Sequence, residues 1–146
     1  MTTTSENKNL VRRFVDAIDR HDLEAAIEVV ASDLVNHAAL PEAQGAPGLR
    51  LIFSKLWAAV PDQRSSCEDL IAEGDRVVCR LRVRGTQTGT FQMATLSLPA
   101  TGREFSTEHI HVFRVSAGKL AEHWAGRDDF GMLRQLGHAP FTEGAR

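Results

Sequence analysis

The chain has 146 residues, of which 42% are hydrophobic and 25% charged, and its 17 basic and 19 acidic side chains give a formal net charge of −2. This length predicts one domain, residues 1–146, that can bury roughly two thirds of its unfolded surface. The balanced charge excludes an electrostatic basis for binding nucleic acid or a membrane surface, and no apolar run reaches the length of a membrane span.

Helical periodicity occupies the first part of the chain. Apolar residues recur at spacings of three and four over residues 6–18, 23–30 and 49–57, which predicts three helices. Ser5 and Asp22 are suited to cap the first two helices, and Pro61 predicts the end of the third. Residues 34–36 read as a short extended piece, and residues 41–47 as a loop.

Alternation replaces the helical period from Arg64 onward. It is clearest where Val77, Cys79, Leu81 and Val83 lie on one face and arginines on the other. Strands are predicted over residues 67–72, 77–86, 89–98, 105–115 and 120–127, followed by a short apolar helix. Helices followed by strands indicate an α+β fold. A curved antiparallel sheet wrapped around the helices would enclose one apolar cavity, which is the expected ligand site.

Two cysteines bear on the compartment. Cys67 and Cys79 are spaced so that they could bridge neighbouring strands, but two buried thiols in a reducing cytosol are the prediction. The first ten residues lack the apolar core of a signal peptide. We therefore expect a cytoplasmic protein.

Titratable side chains concentrate on the last two predicted strands. His109 and His111 are two residues apart, so both point to the same side of the sheet. His123 lies on the next strand, and Asp128 follows shortly after it. Such groups are costly in a small domain unless they are exposed, paired or used. This region is the candidate site.

Acid–base chemistry suits these side chains. Ring closure through an enolate needs a base beside a carbonyl and a donor for the developing oxyanion. A histidine or a partly buried carboxylate can serve. We predict Asp128 as the proton acceptor, with His111 and His109 as the other catalytic residues. Structural alternatives exist, because Asp128 can cap the final helix and His111 can be a hydrogen-bonded wall residue.

A metal site is the competing interpretation of His109 and His111, since imidazole is a common zinc ligand. The spacing is unspecific, and neither a Cys-x-x-Cys nor a His-Glu-x-x-His motif accompanies it. No metal is predicted.

Further residues are predicted to contact a flat substrate, although aromatic stripes also fill ordinary cores. The set comprises His37 at the cavity mouth and Phe53, Trp57, Phe91, Met93, His123 and Trp124 along the wall.

Five short segments carry a family resemblance. They are residues 34–36 (Leu-Val-Asn), 99–105 (Pro-Ala-Thr-Gly-Arg-Glu-Phe), 108–111 (Glu-His-Ile-His), 118–119 (Gly-Lys) and 133–137 (Leu-Arg-Gln-Leu-Gly). With the order of elements over nearly the full length, they resemble the SnoaL-like polyketide cyclases of the nuclear transport factor 2-like superfamily. The resemblance implies a cystatin-like α+β barrel with three N-terminal helices packed on the sheet. It also implies an enzyme that closes rings of polyketide intermediates without metal or organic cofactor.

The resemblance also implies roles for single residues. Asn36 matches a substrate-binding asparagine of the pocket, and His111 matches a pocket histidine that holds or polarises the substrate. His109 stands where the aldol cyclases have glutamine. Those cyclases read His-Arg-Asp in the last strand, with the aspartate as base, whereas this chain has Ala125 in its place. Asp128 matches another acidic position of the wider family.

Other functions fit the same fold, because a fold does not fix function. Relatives of this kind take part in hydroxylation of aromatic polyketides, in epoxide opening or in pericyclic ring closure, where shape and a few polar groups suffice. A non-catalytic small-molecule binding module is the alternative from another class. An enzyme predicts perturbed histidines or carboxylates in the cavity, whereas a binding module predicts an apolar lining.

Self-association is expected as well. Open curved sheets are commonly covered by a second copy, and a two-fold dimer is the usual symmetric solution. We predict a homodimer or homotetramer with a partly polar interface.

Overall fold

A computed structural model describes residues 3–93 and 95–138, with Met93 described by its backbone alone. Within these residues the chain forms four helices and seven strands. The helices are α1 (Thr4–Asp19), α2 (Leu23–Glu28), α3 (Gly45–Ala59) and α4 (Asp129–Leu136), and the strands are β1 (Val30–Asn36), β2 (Arg64–Glu73), β3 (Arg76–Thr86), β4 (Phe91–Met93), β5 (Leu96–Leu98), β6 (Glu104–Ser116) and β7 (Lys119–Arg127).

Five of the strands form one sheet in the order β1-β7-β6-β3-β2. The α+β prediction is confirmed, with one correction: β1 runs parallel to β7, so the sheet is mixed rather than wholly antiparallel. The other neighbours are antiparallel. This order places the ends of β1, β7 and β6 side by side, and these strands carry Asn36, His123 and the pair His109 and His111.

Strand β1 begins earlier than predicted, because α2 ends at Glu28 rather than near Val30. Val30 is the register partner of Leu120 on β7, and the Leu120 N–H donates to the Val29 carbonyl at 2.9 Å. Pairing with a strand ninety residues away in sequence overrides the local helical pattern.

The predicted strand over residues 89–98 is also wrong. This segment forms a separate antiparallel hairpin, in which Phe91 of β4 pairs with Leu98 of β5. Gly89 explains part of the break, since a Cβ there would lie 2.2 Å from the Ala58 carbonyl oxygen. The close approach fixes the chain against the end of α3 before the hairpin begins.

The first two helices are capped by side chains. Asp22 caps α2 as predicted, since its carboxylate accepts from the Ala25 N–H at 3.1 Å. Ser5 is not the cap of α1. Thr3 has that role, because Glu6, three residues later, completes a capping box with it.

The core lies between the helices and the inward face of the sheet. Val11, Val77, Leu120 and Leu136 have no solvent-exposed surface, and each such side chain contributes about 1.5–3 kcal/mol by its burial. Phe14 of α1 packs edge-on against Phe113 of β6, with ring centroids 5.6 Å apart.

The cysteines lie on neighbouring strands as free thiols, with their Sγ atoms 3.4 Å apart. Cys79 is buried, but Cys67 is exposed, which corrects the prediction of two buried thiols. Cys67 lies where the pairing of β2 with β3 is irregular, between Cys67 and Asp69, so the inward–outward alternation is not kept there.

The outward face of the sheet carries the arginines of β3, as the alternation predicts. Arg80 forms ion pairs with Asp69 and Glu108 on the flanking strands. Among the helices of residues 3–93 and 95–138, none combines the length and the apolar character that crossing a bilayer requires.

Candidate active site

A cavity of about 130 Å³ lies between the helices and the inward face of the sheet. Its walls are mostly apolar and come from α1, α3 and the strands, including Phe14, Ile18, Leu49, Phe53, Leu81, Val83 and Phe113. Polar groups gather on the side formed by β1, β7 and β6. There Asn36, His109, His111, His123 and Arg127 line the cavity.

Four of these side chains form one continuous hydrogen-bonded chain. His109 Nδ1 lies 3.3 Å from His111 Nε2, and His111 Nδ1 lies 2.8 Å from His123 Nε2. His123 Nδ1 lies 2.8 Å from Asn36 Oδ1. The sheet builds this arrangement, because Asn36 and His123 are register partners and the two β6 histidines share a face. All four residues were predicted to belong to the site, but the hydrogen bonds between them were not predicted.

The orientation of the Asn36 amide determines which ring nitrogen of each histidine carries the proton. Its Oδ1 accepts the Ala38 backbone N–H at 3.0 Å, so the oxygen rather than the amide nitrogen faces His123. His123 Nδ1 must then donate. A neutral imidazole has one donor and one acceptor, so His111 Nδ1 donates to His123 Nε2, and His109 Nδ1 donates to His111 Nε2. His109 Nε2 is left with an unprotonated lone pair, and no described residue bonds to it.

Burial keeps the three rings neutral. Desolvation, with a smaller contribution from the charge of Arg127, lowers the pKa of His109 to about 4. The same two effects, with the charge of His37, lower the pKa of His123 to about 4. Desolvation and the neighbouring histidines hold the pKa of His111 well below its ordinary value. At neutral pH the three histidine rings are therefore uncharged, and the free nitrogen of His109 can accept a proton.

Gln44 fixes the loop that follows Asn36. Its Oε1 accepts the Asn36 N–H at 2.7 Å, and its Nε2 donates to the carbonyls of Asn36 and Leu40 at 2.9 and 3.2 Å. One side chain thereby holds both ends of the turn that carries Ala38. Nothing in the spacing of the sequence singled out this glutamine.

Asp128, predicted as the proton acceptor, does not line the cavity. Its carboxylate is exposed and caps α4, accepting the Gly131 N–H at 2.8 Å. A Cβ at position 131 would lie 2.2 Å from Asp128 Oδ2, so the cap and the glycine fit together. β7 stays in register with β6 from Glu122 to Arg127, so no bulge at Gly126 turns the following residues toward the cavity.

We expect Asp128→Ala to lower the free energy of unfolding by about 1 kcal/mol, the usual cost of losing an N-cap. Turnover should stay unchanged. Urea unfolding followed by circular dichroism, beside a turnover assay of the same preparation, checks both. A large loss of turnover at unchanged stability would instead show that Asp128 takes part in catalysis.

The other predicted contact residues separate into two groups. Phe53 lines the cavity, whereas His37, Trp57, Phe91 and Trp124 lie outside the lining. Alternation explains Trp124, because its neighbour His123 points inward and Trp124 therefore points outward, where it stacks on His37 at 4.9 Å. The side chain of Met93 lies outside the described part of the chain.

Trp57 and Phe91 have packing roles instead. Trp57 stacks on His21 with ring centroids 4.5 Å apart, and Phe91 packs against the hydrophobic core. His37 binds Glu122 at 2.7 Å on the outer surface. These contacts correct the predicted places of Trp57 and Phe91. The aromatic wall of the cavity is formed by Phe14, Phe53 and Phe113.

Arg127 is a charged lining residue that was not predicted from the sequence. It is the register partner of His109 across the β6–β7 ladder, and its side chain is 42% exposed, which places it at the cavity mouth. The signal was available, since Arg127 has the same parity on β7 as the inward-facing His123. Gln63 and Ser65 also line the cavity and were not predicted.

The described residues contain no group of three His, Cys, Asp or Glu side chains arranged to hold a metal ion. In the histidine chain, ring nitrogens bond to one another instead of converging on one point.

A small α+β domain whose apolar cavity contains hydrogen-bonded histidines is suited to acid–base catalysis on a small molecule. Comparison with known proteins identifies the family. The family model described as SnoaL-like polyketide cyclase matches residues 8–136. The chain belongs to this family and is a polyketide cyclase.

Individual relatives agree with this assignment. Aklanonic acid methyl ester cyclase DauD of Streptomyces sp. (strain C5) is 32% identical over 144 residues, covering 94% of this chain and 86% of that protein. Aklanonic acid methyl ester cyclase DnrD of Streptomyces peucetius is also 32% identical, covering 94% and 96%. The solved structure of TsrD from Streptomyces laurentii superposes with a TM-score of 0.81 at 28% identity, covering 94% of this chain and 98% of that one.

Proposed function

We propose that this cyclase closes a ring of a polyketide ester related to aklanonic acid methyl ester, with His109 Nε2 as the general base. The observation that carries the proposal is the one-directional hydrogen-bonded chain from His109 to Asn36, which leaves this nitrogen unprotonated. The substrate class is supported by the names of DauD and DnrD.

The proposed reaction is an intramolecular aldol condensation. His109 Nε2 removes a proton from a carbon next to a carbonyl, and the enolate carbon attacks a ketone carbonyl carbon of the same molecule. A carbon–carbon bond forms, and the resulting alkoxide takes a proton from the imidazolium. No atom is gained or lost. A base whose pKa lies near 4 needs an activated carbon acid, such as one between two carbonyl groups.

His111 and His123 share the positive charge in this scheme. When His109 is protonated at Nε2, its Nδ1 proton can move to His111 Nε2, and the His111 Nδ1 proton can then move to His123 Nε2. Asn36 Oδ1 ends the relay as an acceptor that stabilises the last cation. The relay supplies a base in a chain that has Ala125 where the aldol cyclases have their aspartate.

The cavity is proposed to take only the reacting end of the substrate. Its volume of about 130 Å³ is below the roughly 300–1,000 Å³ of pockets that enclose a whole drug-sized ligand. The remaining rings would lie at the mouth, near Ala38 and Arg127. This mode of binding agrees with a lining that is mostly apolar.

The experiment is incubation of the purified protein with aklanonic acid methyl ester, followed by chromatography and mass spectrometry. We expect a product of unchanged mass and changed retention. A product that gains the mass of one oxygen atom would favour hydroxylation, and binding without conversion would favour a non-catalytic binding module. Either outcome contradicts the proposal.

Pericyclic closure is the second candidate, and the observation that favours it is Ala125 at the position of the aldol base. Such a reaction also keeps the mass unchanged but needs no proton acceptor. Pericyclic closure therefore predicts that His109→Gln loses little turnover, and the kcat of that variant distinguishes the two reactions.

We also propose a homodimer or homotetramer in the cytoplasm. The outward face of the sheet supports association, because Ile71 and Ile110 are exposed there among paired charges. The unbridged thiols of Cys67 and Cys79 support a reducing compartment. Light scattering at micromolar concentration should give a mass of at least two chains, and a monomer would contradict the proposal.

A further inference from the structure

The cavity has an unbalanced charge. Its lining includes Arg127 and contains no aspartate or glutamate among the described residues. The titratable groups that face Arg127 are His109, His111 and His123 from the sheet, with Asp129 at the start of α4. α1, α3 and β3 contribute apolar residues to the other walls, and Gln63 and Ser65 add uncharged polar ones. The positive charge of Arg127 therefore lies beside a mostly apolar cavity of low dielectric constant, where its electrostatic effect is strong.

The position of Arg127 relates it to the reacting atoms. Arg127 and His109 are opposite each other across antiparallel strands, where the Cβ atoms of such pairs lie about 4.5–5.5 Å apart. A carbon whose proton points at His109 Nε2 is bonded to the carbonyl carbon, so the carbonyl oxygen lies two bonds from the reacting carbon. The planar fork of an arginine suits an oxygen at that distance.

Asp129 leaves Arg127 free to take such a ligand. Arg127 Nη2 and Asp129 Oδ2 are 3.7 Å apart, and both side chains are partly exposed. This is a loose surface ion pair without the bidentate geometry of a strong one. An anionic oxygen at the cavity mouth can therefore bind the remaining donors of the guanidinium.

We propose that Arg127 is the oxyanion-binding residue of this cavity and that it selects ligands whose oxygen is ionised or ionises in the reaction, such as the enolate or phenolate of a flat polyketide. This inference deepens the proposed function and rests on it for the position of the reacting carbon. It assigns His109 and Arg127 separate tasks, removal of the proton and stabilisation of the charge left behind.

Binding of two anthraquinones tests the inference without turnover. The probes are 2-hydroxyanthraquinone, which can ionise, and 2-methoxyanthraquinone, which cannot. We expect the wild type to bind the phenolate at least about tenfold more tightly than the methyl ether, as a charge-assisted hydrogen bond allows. Absorbance should also show that the bound hydroxyl group ionises at a lower pH than the free compound.

Arg127→Gln should abolish both the preference and the shift in ionisation, and Arg127→Lys should retain part of them. Arg82→Gln is the matched control, since Arg82 lies on the outward face of the sheet near Glu68, and it should behave as the wild type. The inference is overturned if Arg127→Gln keeps the preference, if it weakens both probes equally, or if the wild type binds the two alike or not at all.

His109→Gln separates this inference from the proposed function. The variant should keep the preference for the phenolate while losing turnover. If it turns over normally and Arg127→Gln still loses the preference, His109 is not the base and Arg127 is still the oxyanion site. If turnover depends on His109 and Arg127→Gln changes nothing in binding, the proposed function stands and the present inference falls.

Discussion

Replacing His109 by glutamine should lower kcat for ring closure by about a hundredfold to ten-thousandfold, the usual contribution of a general base. Glutamine can still donate a hydrogen bond to His111 Nε2, so the rest of the chain keeps its order. It has no nitrogen lone pair that accepts a proton at neutral pH. Steady-state turnover of aklanonic acid methyl ester, followed by chromatography, measures the effect.

A matched histidine outside the cavity provides the control. His37→Gln makes the same chemical change on the outer surface, where His37 binds Glu122, and it should leave turnover unchanged. Equal turnover in His109→Gln and the wild type would reject the histidine base and favour pericyclic closure. Loss of turnover in both variants would show that the effect is not specific to the cavity.

Acidification should destabilise the protein well above the pH at which carboxylates titrate. The pKa values of His109 and His123 lie near 4 in the folded state, and the ordinary value of histidine is about 6.5. Between these values the unfolded chain binds more protons than the folded one. The contribution of these neutral histidines to the free energy of unfolding is therefore fully present above pH 6.5, and it is lost as the pH is lowered toward 4.

The expected loss between pH 7 and pH 4.5 is about 2 kcal/mol for each of the two histidines, and His111 acts in the same direction. Urea unfolding at several pH values measures it. His109→Gln should lose less stability over this interval than the wild type, because it has one titrating ring fewer. Parallel pH profiles for the two proteins would mean that burial of His109 does not depress its proton affinity.

The elements that sequence analysis predicted well are those in which local pattern and tertiary environment agree. Alternation over Val77, Cys79, Leu81 and Val83 gave both the strand and its inward face. The two-residue spacing of His109 and His111 gave their common side. Asp22 was found as a cap because a side-chain cap is a local interaction.

The predictions that failed depended on contacts distant in sequence. The beginning of β1 is set by its pairing with β7, which no local window contains. Asp128 had two local roles available, and the end of β7 without a bulge decided for the cap. The order of the histidine chain depends on Asn36 Oδ1, which the Ala38 N–H orients and which meets His123 only in the folded sheet.

The single hydrogen bond from the Ala38 N–H to Asn36 has a consequence for the whole site. A row of neutral imidazoles has two self-consistent arrangements, one with every proton on Nδ1 and one with every proton on Nε2. If the Asn36 amide were turned over, its NH₂ group would donate to His123 Nδ1, all three tautomers would exchange, and His109 would present a proton instead of a lone pair. One backbone amide in the loop held by Gln44 thus selects between a base and an acid at the far end of the row.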